Sequence, residues 1–243
     1  MHARTLIAAA LTVASATLAA CSGDNVLGIG IAGGGTNTDS LSNARIRFAN
    51  ATSASLDVAT GGAVTTGNGS LGFGAASSCI STNAVTPNVA VRIAGTTSVV
   101  PGFTTAYQSG VSYTVIAHTG ANGATQFATL PDTYTPASGQ TGLRVFNAGS
   151  ASSSYDVYVT TPNAPLASTP PIFGGVTAGS SSGFIDVSTT GAQQVRVTAA
   201  GSKAVLLDLG TVTFVAGQSV TLVLAPPLAG GGTSPRSFLV ATC

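Results

Sequence analysis

The chain contains no Glu and no Trp, one Lys and one Met, and 6% charged residues, against roughly 25% in an ordinary soluble protein. With Glu absent and Lys, Gln and Met scarce, the strong helix formers reduce to Ala and Leu. The formal net charge is +1, and beyond Arg4 seven Lys and Arg face seven Asp. Binding to nucleic acid needs a basic footprint, and none exists, so that partner is excluded. A polybasic membrane patch is missing too, and charges scattered singly steer partners weakly. No apolar run beyond the amino terminus approaches the ~18 residues of a membrane-spanning helix. Beyond His2 the only His is His118. A zinc site needs three or four His or Cys ligands, and Cys79 and Cys243 stand far from it in sequence, so neither metal nor cofactor is expected.

What remains is 31 Gly with abundant Ser, Thr, Ala and Val. Val, Ile, Leu and Phe recur in short alternating runs that can bury a core. Thr, Val and Tyr favour strands, and Gly, Asn and Pro punctuate them. The composition points to an all-β protein.

The amino terminus reads as an address. Met1-His2-Ala3-Arg4 is a short positive region, and Thr5 to Thr17 is an apolar stretch of signal-peptide length. It closes in Leu18-Ala19-Ala20-Cys21, which resembles a bacterial lipobox. That resemblance implies cleavage between Ala20 and Cys21 and a diacylglyceryl group on the Cys21 thiol. Each buried CH₂ contributes ~0.8 kcal/mol, so two or three acyl chains anchor firmly. Ser22 follows, where enteric lipoproteins kept at the inner membrane carry Asp. The expectation is a lipid-anchored envelope protein, on the outer membrane where the organism has one. The segment from Cys21 to Asn43, rich in Gly, Asn, Ser and Thr and without a periodic face, reads as a flexible tether.

Beyond the tether the chain repeats at a spacing near 100 residues. Ile46-Arg47-Phe48-Ala49-Asn50-Ala51 answers Leu143-Arg144-Val145-Phe146-Asn147-Ala148. Leu56-Asp57-Val58 answers Tyr155-Asp156-Val157, and Val91-Arg92-Ile93 answers Val195-Arg196-Val197. Gly110 to Val115 answers Gly217 to Leu222. The order is kept while the offset drifts from 97 to 107 residues, the mark of duplication with unequal loops. The chain therefore divides into a signal peptide (1–20), a lipidated Cys with its tether (21–43), a first module (44–131), a linker (132–141) and a second module (142–243). Val89, Val91 and Ile93 alternate with Ala90, Arg92 and Ala94, as in a strand with one buried face. Val111 to His118 and Val220 to Leu224 are more continuously apolar, like central strands covered on both faces. About seven strands per module suggests two tandem immunoglobulin-like antiparallel β-sandwiches, with a barrel as the alternative.

Leu143-Arg144-Val145-Phe146-Asn147 followed by Tyr155-Asp156-Val157-Tyr158-Val159, with the later strands Gly217 to Val223 and Gly110 to Ile116, resembles the domain-of-unknown-function family 4397. That family occurs in bacterial cell-surface proteins, often as tandem copies behind a lipoprotein signal. The likeness covers most of residues 44–241, and the first module departs from it after Asp57-Val58, where Ala59-Thr60-Gly61-Gly62 replaces an aromatic strand. The resemblance implies a fold and a location and carries no activity.

Several motifs that suggest chemistry fail on context. Gly28 to Gly33 and Gly67 to Gly72 both fit G-x-G-x-x-G, but no helix follows to receive a pyrophosphate. Gly179-Ser180-Ser181-Ser182-Gly183 fits a nucleophile elbow, yet its His would have to follow it, and His118 precedes it. Asp57 and Asp156 are the most tempting acids. They occupy equivalent places in different modules, which suggests a structural duty performed twice: Arg47 with Asp57, and Arg144 with Asp156, pairing across a hairpin or tying a turn. Cys79 and Cys243 remain after Cys21 is lipidated, and two leftover Cys in an exported chain usually pair. The functional expectation is a non-catalytic cell-envelope lipoprotein with a structural, adhesion or binding role. Its partners would be the membrane, through the lipid, and an envelope protein or glycan. A glycan-binding module is the alternative, using Tyr107, Tyr134, Tyr155 and Tyr158 as stacking faces; an envelope hydrolase ranks below it.

Overall fold

The computed structural model describes residues 43–103, 106–149, 152–227 and 234–243, and these fall in one compact unit. The segment expected to be a signal peptide, with Ala20 and Cys21, and nearly all of the expected tether lie outside the described residues. Among the described residues every regular element is a strand. Among the described residues no helix is long and apolar enough to cross a membrane.

The first module contains β1 (Asn43–Asn50), β2 (Leu56–Thr60), β3 (Ala63–Val64), β4 (Ile80–Asn83), β5 (Val89–Ile93), β6 (Ser112–Thr119) and β7 (Thr125–Pro131). They form one sheet in the order β4-β1-β6-β7 and a second in the order β3-β2-β5. The second module contains β8 (Gln140–Asn147), β9 (Ser154–Thr160), β10 (Phe173–Thr177), β11 (Ile185–Ser188), β12 (Gln193–Ala199), β13 (Val205–Val212), β14 (Ser219–Ala225) and β15 (Arg236–Ala241). Its sheets run β11-β8-β14-β15 and β10-β9-β12-β13. The strand order of the first half thus recurs in the second, with β13 added at one edge. In both halves the opening strand pairs in parallel with the strand at its centre, β1 with β6 and β8 with β14. The remaining ladders are antiparallel. A parallel neighbour needs a long crossover, and here the whole opposite sheet supplies it.

Alternation along the strands sets three apolar layers. Ile46 and Phe48 face Leu56, Val58 and Val91 inside the first module. Leu143 and Val145 face Val157, Val195 and Val197 inside the second. The other face of β1, β6, β8 and β14 forms a third layer, in which Ala49, Ile116, Phe146, Val223 and Val240 are buried together. The order is sheet, core, sheet, middle layer, sheet, core, sheet. The continuous apolar runs in β6 and β14 have this cause, since each central strand meets its own core on one face and the other module on the other. Ile93 departs from the alternation expected of it and is 42% exposed at the end of β5.

Candidate functional site

The two repeated acids serve the same local task. Asp57 leaves β2 on the face away from the core, and its carboxylate accepts the Ser70 amide at 2.6 Å and the Gly95 amide at 2.8 Å. Asp156 does the same from β9, accepting the Gly175 amide at 2.7 Å and the Gly201 amide at 2.8 Å. The backbone hydrogen bonds from Ser70 and then Gly95 hold the Asp57 carboxyl below its ordinary range, with Arg92 adding to them against burial. Each acid ties two turns. The expected ion pairs with Arg47 and Arg144 do not form, because alternation sends the acids to the outer sheet faces and both arginines into the middle layer. Asn50 and Asn147 repeat the pattern at the ends of β1 and β8. Asn50 donates to the Ala54 and Leu71 carbonyls and accepts from Thr52, and Asn147 donates to the Val176 carbonyl and accepts from Gly149.

Arg144 finds its carboxylate in the linker. Its guanidinium meets Asp132 at 2.5 Å and donates to the Pro131 carbonyl at 2.9 Å and the Thr221 hydroxyl at 2.8 Å. The Thr114 hydroxyl donates to the other Asp132 oxygen at 2.8 Å. Burial pushes the Asp132 carboxyl up, while Arg144 first, then the Thr114 and Arg144 hydrogen bonds and the more distant Arg47, pull it back. Farther along, the Tyr134 ring stacks on Phe184 with centroids 5.1 Å apart, and the Arg144 guanidinium lies over the same Phe184 ring. The Ala137 amide reaches the Asp186 carboxylate. The linker is therefore a strap fastened across the second module, and nothing in its composition announced that.

Under this strap lies a cavity of about 370 Å³ lined by Tyr134, Thr135, Pro136, Gln218, Thr242 and Cys243, among others. Cys243 is bonded to Cys79, with Cα atoms 5.8 Å apart and 164 residues between them in sequence. Cys79 immediately precedes β4 and Cys243 follows β15, so the bridge joins the two modules at the rim of the middle layer. Arg47 lies beside it, donating from Nη2 to Cys79 Sγ at 3.0 Å.

The remaining candidates have local explanations. His118 packs edge-on against Phe146 with centroids 5.3 Å apart, and burial pushes its imidazole down, toward the neutral form. The Ser181 hydroxyl donates to the Ser182 carbonyl on a loop that leads into β11 and not into a helix. Gly67 to Gly72 forms a loop whose Leu71 pairs with Leu56, and Gly28 to Gly33 lies outside the described residues. Of the four Tyr considered for stacking on sugars, Tyr107, Tyr155 and Tyr158 are buried, and burial pushes the Tyr107 phenol up to about 12. Tyr134 and Phe184 stack on one another, so they present no flat pair. Among the described residues no group of three or more His, Cys or Asp could hold a metal ion.

These features define a class: an all-β protein of paired β-sandwich modules whose recurring polar residues are engaged in holding loops. The family model for a domain of unknown function, DUF4397, matches residues 44–158. The match runs from β1 through most of β9, covering the whole first module, the strap and the first two strands of the second, and it is the family to which the motifs pointed. No curated protein matches the chain.

Proposed function

We propose that this protein is a non-catalytic lipoprotein of the cell envelope, held to the membrane by acylated Cys21 and acting as a rigid structural, adhesive or binding element. The outer membrane is its place where the organism has one, and its partner is an envelope protein or glycan. The observation that carries the reading is the engagement of the repeated side chains: Asp57 and Asp156 each hold two backbone amides. A carboxylate saturated in this way is poorly placed to move protons or bind a reacting group. The lipobox-like Leu18-Ala19-Ala20-Cys21 supports the location. A flat pair of exposed rings, the feature that would favour a dedicated sugar-binding surface, is not formed by the Tyr residues considered.

The test is direct. Cys21→Ser should move the product from the membrane fraction to the soluble one and remove the acyl mass from its amino-terminal peptide. A variant that stays membrane-bound overturns the anchor. Cross-linking of the wild-type protein in intact envelopes should then yield discrete adducts rather than turnover of any added ester, glycoside or peptide.

A further inference from the structure

The bridge between the modules is asymmetric. On one side Cys79 Sγ accepts a hydrogen bond from the Arg47 guanidinium at 3.0 Å, and Arg47 Nε is buried with no partner of its own. Asp132, a carboxylate of the same layer, is committed to Arg144 and Thr114. On the other side Cys243 lines the open cavity of about 370 Å³ under the strap, whereas Cys79 is not among its lining residues. Thiol–disulfide exchange needs access to one sulfur and a good leaving group at the other. A neighbouring guanidinium stabilises a thiolate and lowers its pKa. The two requirements are met at different ends of one bond.

We propose that Cys79–Cys243 is a directional exchange site for small aliphatic thiols. An incoming thiolate enters the cavity and attacks Cys243 Sγ, forming a new sulfur–sulfur bond there. The Cys79–Cys243 bond breaks, and its electron pair leaves on Cys79 as a thiolate held by Arg47. The products are a mixed disulfide on Cys243 and a free thiolate at Cys79, with no net oxidation. A second thiolate can attack the outer sulfur of the mixed disulfide, releasing the symmetrical disulfide of the small thiol and leaving Cys243 as a thiolate; the protein bond is then reduced and two small thiols are oxidised to one disulfide. The modules then lose the disulfide that ties them beside the connecting strap while their packing stays intact, so the device alters how firmly the modules are joined without unfolding either.

The experiment uses the full chain under native conditions. The folded protein is incubated with reduced glutathione, quenched in acid, alkylated and digested, and the adduct is mapped by mass. Glutathione should appear on the Cys243 peptide and the alkylating group on the Cys79 peptide. Arg47→Gln should slow the exchange about threefold or more, since a thiol less acidic by one unit leaves roughly that much more slowly. Arg47→Lys should restore most of the rate by keeping a cation at Cys79. Adduct on Cys79, exchange only in denaturant, or equal rates for wild type and Arg47→Gln would each overturn the proposal. The adduct map needs no variant, so misfolding of Arg47→Gln leaves that test standing.

Discussion

At the residue scale, the informative positions are the acids that never meet the arginines expected beside them. An Asp that accepts two backbone amides stabilises two loops at once, and its removal leaves two donors without partners. Asp57→Ala should therefore lower stability by about 1–3 kcal/mol, and Asp156→Ala by a similar amount, read from the denaturant midpoint. The sites lie in different modules and share no partner, so the double variant should cost nearly the sum. The pH dependence has a definite sign. The folded Asp57 carboxyl sits below its ordinary 3.8, so its contribution is complete above that pH and is lost as the pH falls toward the folded value. Burial shifts the Asp132 carboxyl the other way, up, against the pull of Arg144. The difference between wild-type and Asp57→Asn stability curves isolates the first effect. It should shrink below about pH 4, and a difference that grows there would contradict the hydrogen-bond account.

At the element scale, the strap from Asp132 to Ala137 shows what local sequence withholds. Pro131 to Gln140 has no periodicity, and a segment of that composition reads as a spacer. Asp132 and Arg144 meet only because β8 turns Arg144 away from the second core and into the layer that the strap crosses. The duplicated strands, by contrast, were legible, since Ile46/Phe48 and Leu143/Val145 carry the period of a half-buried strand. The edge strand β13 has no counterpart of similar length in the first half, so comparing the repeats could not announce it. Breaking a buried ion pair on one side strands the other charge. Asp132→Ala should cost about 3–5 kcal/mol, more than either turn-tying acid. Gly142→Ala probes the same strap sterically, because a Cβ there would lie 2.7 Å from Tyr134 Cδ1 and 2.8 Å from Ser219 Oγ. Tyr134 and Ser219 would have to give way, and the Tyr134 ring is expected to shift against Phe184. With no Trp in the chain, that displacement should show as a change in Tyr fluorescence at unchanged far-ultraviolet dichroism, and an unaltered spectrum would mean that the ring yields without moving off its partner.

At the scale of the whole molecule, the question is whether two repeats behave as two domains or one. The middle layer decides it, because β1, β6, β8 and β14 each contribute residues to it as well as to their own core. A side chain there belongs to both halves thermodynamically. Phe146 comes from the second module, is fully buried, and touches the first through His118. Phe146→Ala should cost about 3–5 kcal/mol, as large-to-small changes in a packed core do. The location of the loss matters more than its size. If the layer couples the modules, hydrogen exchange followed by mass should show faster exchange in β1 and β6 as well as in β8 and β14. Reduction of Cys79–Cys243 should enlarge the effect. In the chain-entropy account, opening a loop of 164 residues forfeits up to about 5 kcal/mol, and the two halves then depend on the middle layer and the strap. Loss of protection confined to β8–β15 in the reduced Phe146→Ala protein would show instead that the modules fold independently and that the layer only brings them together.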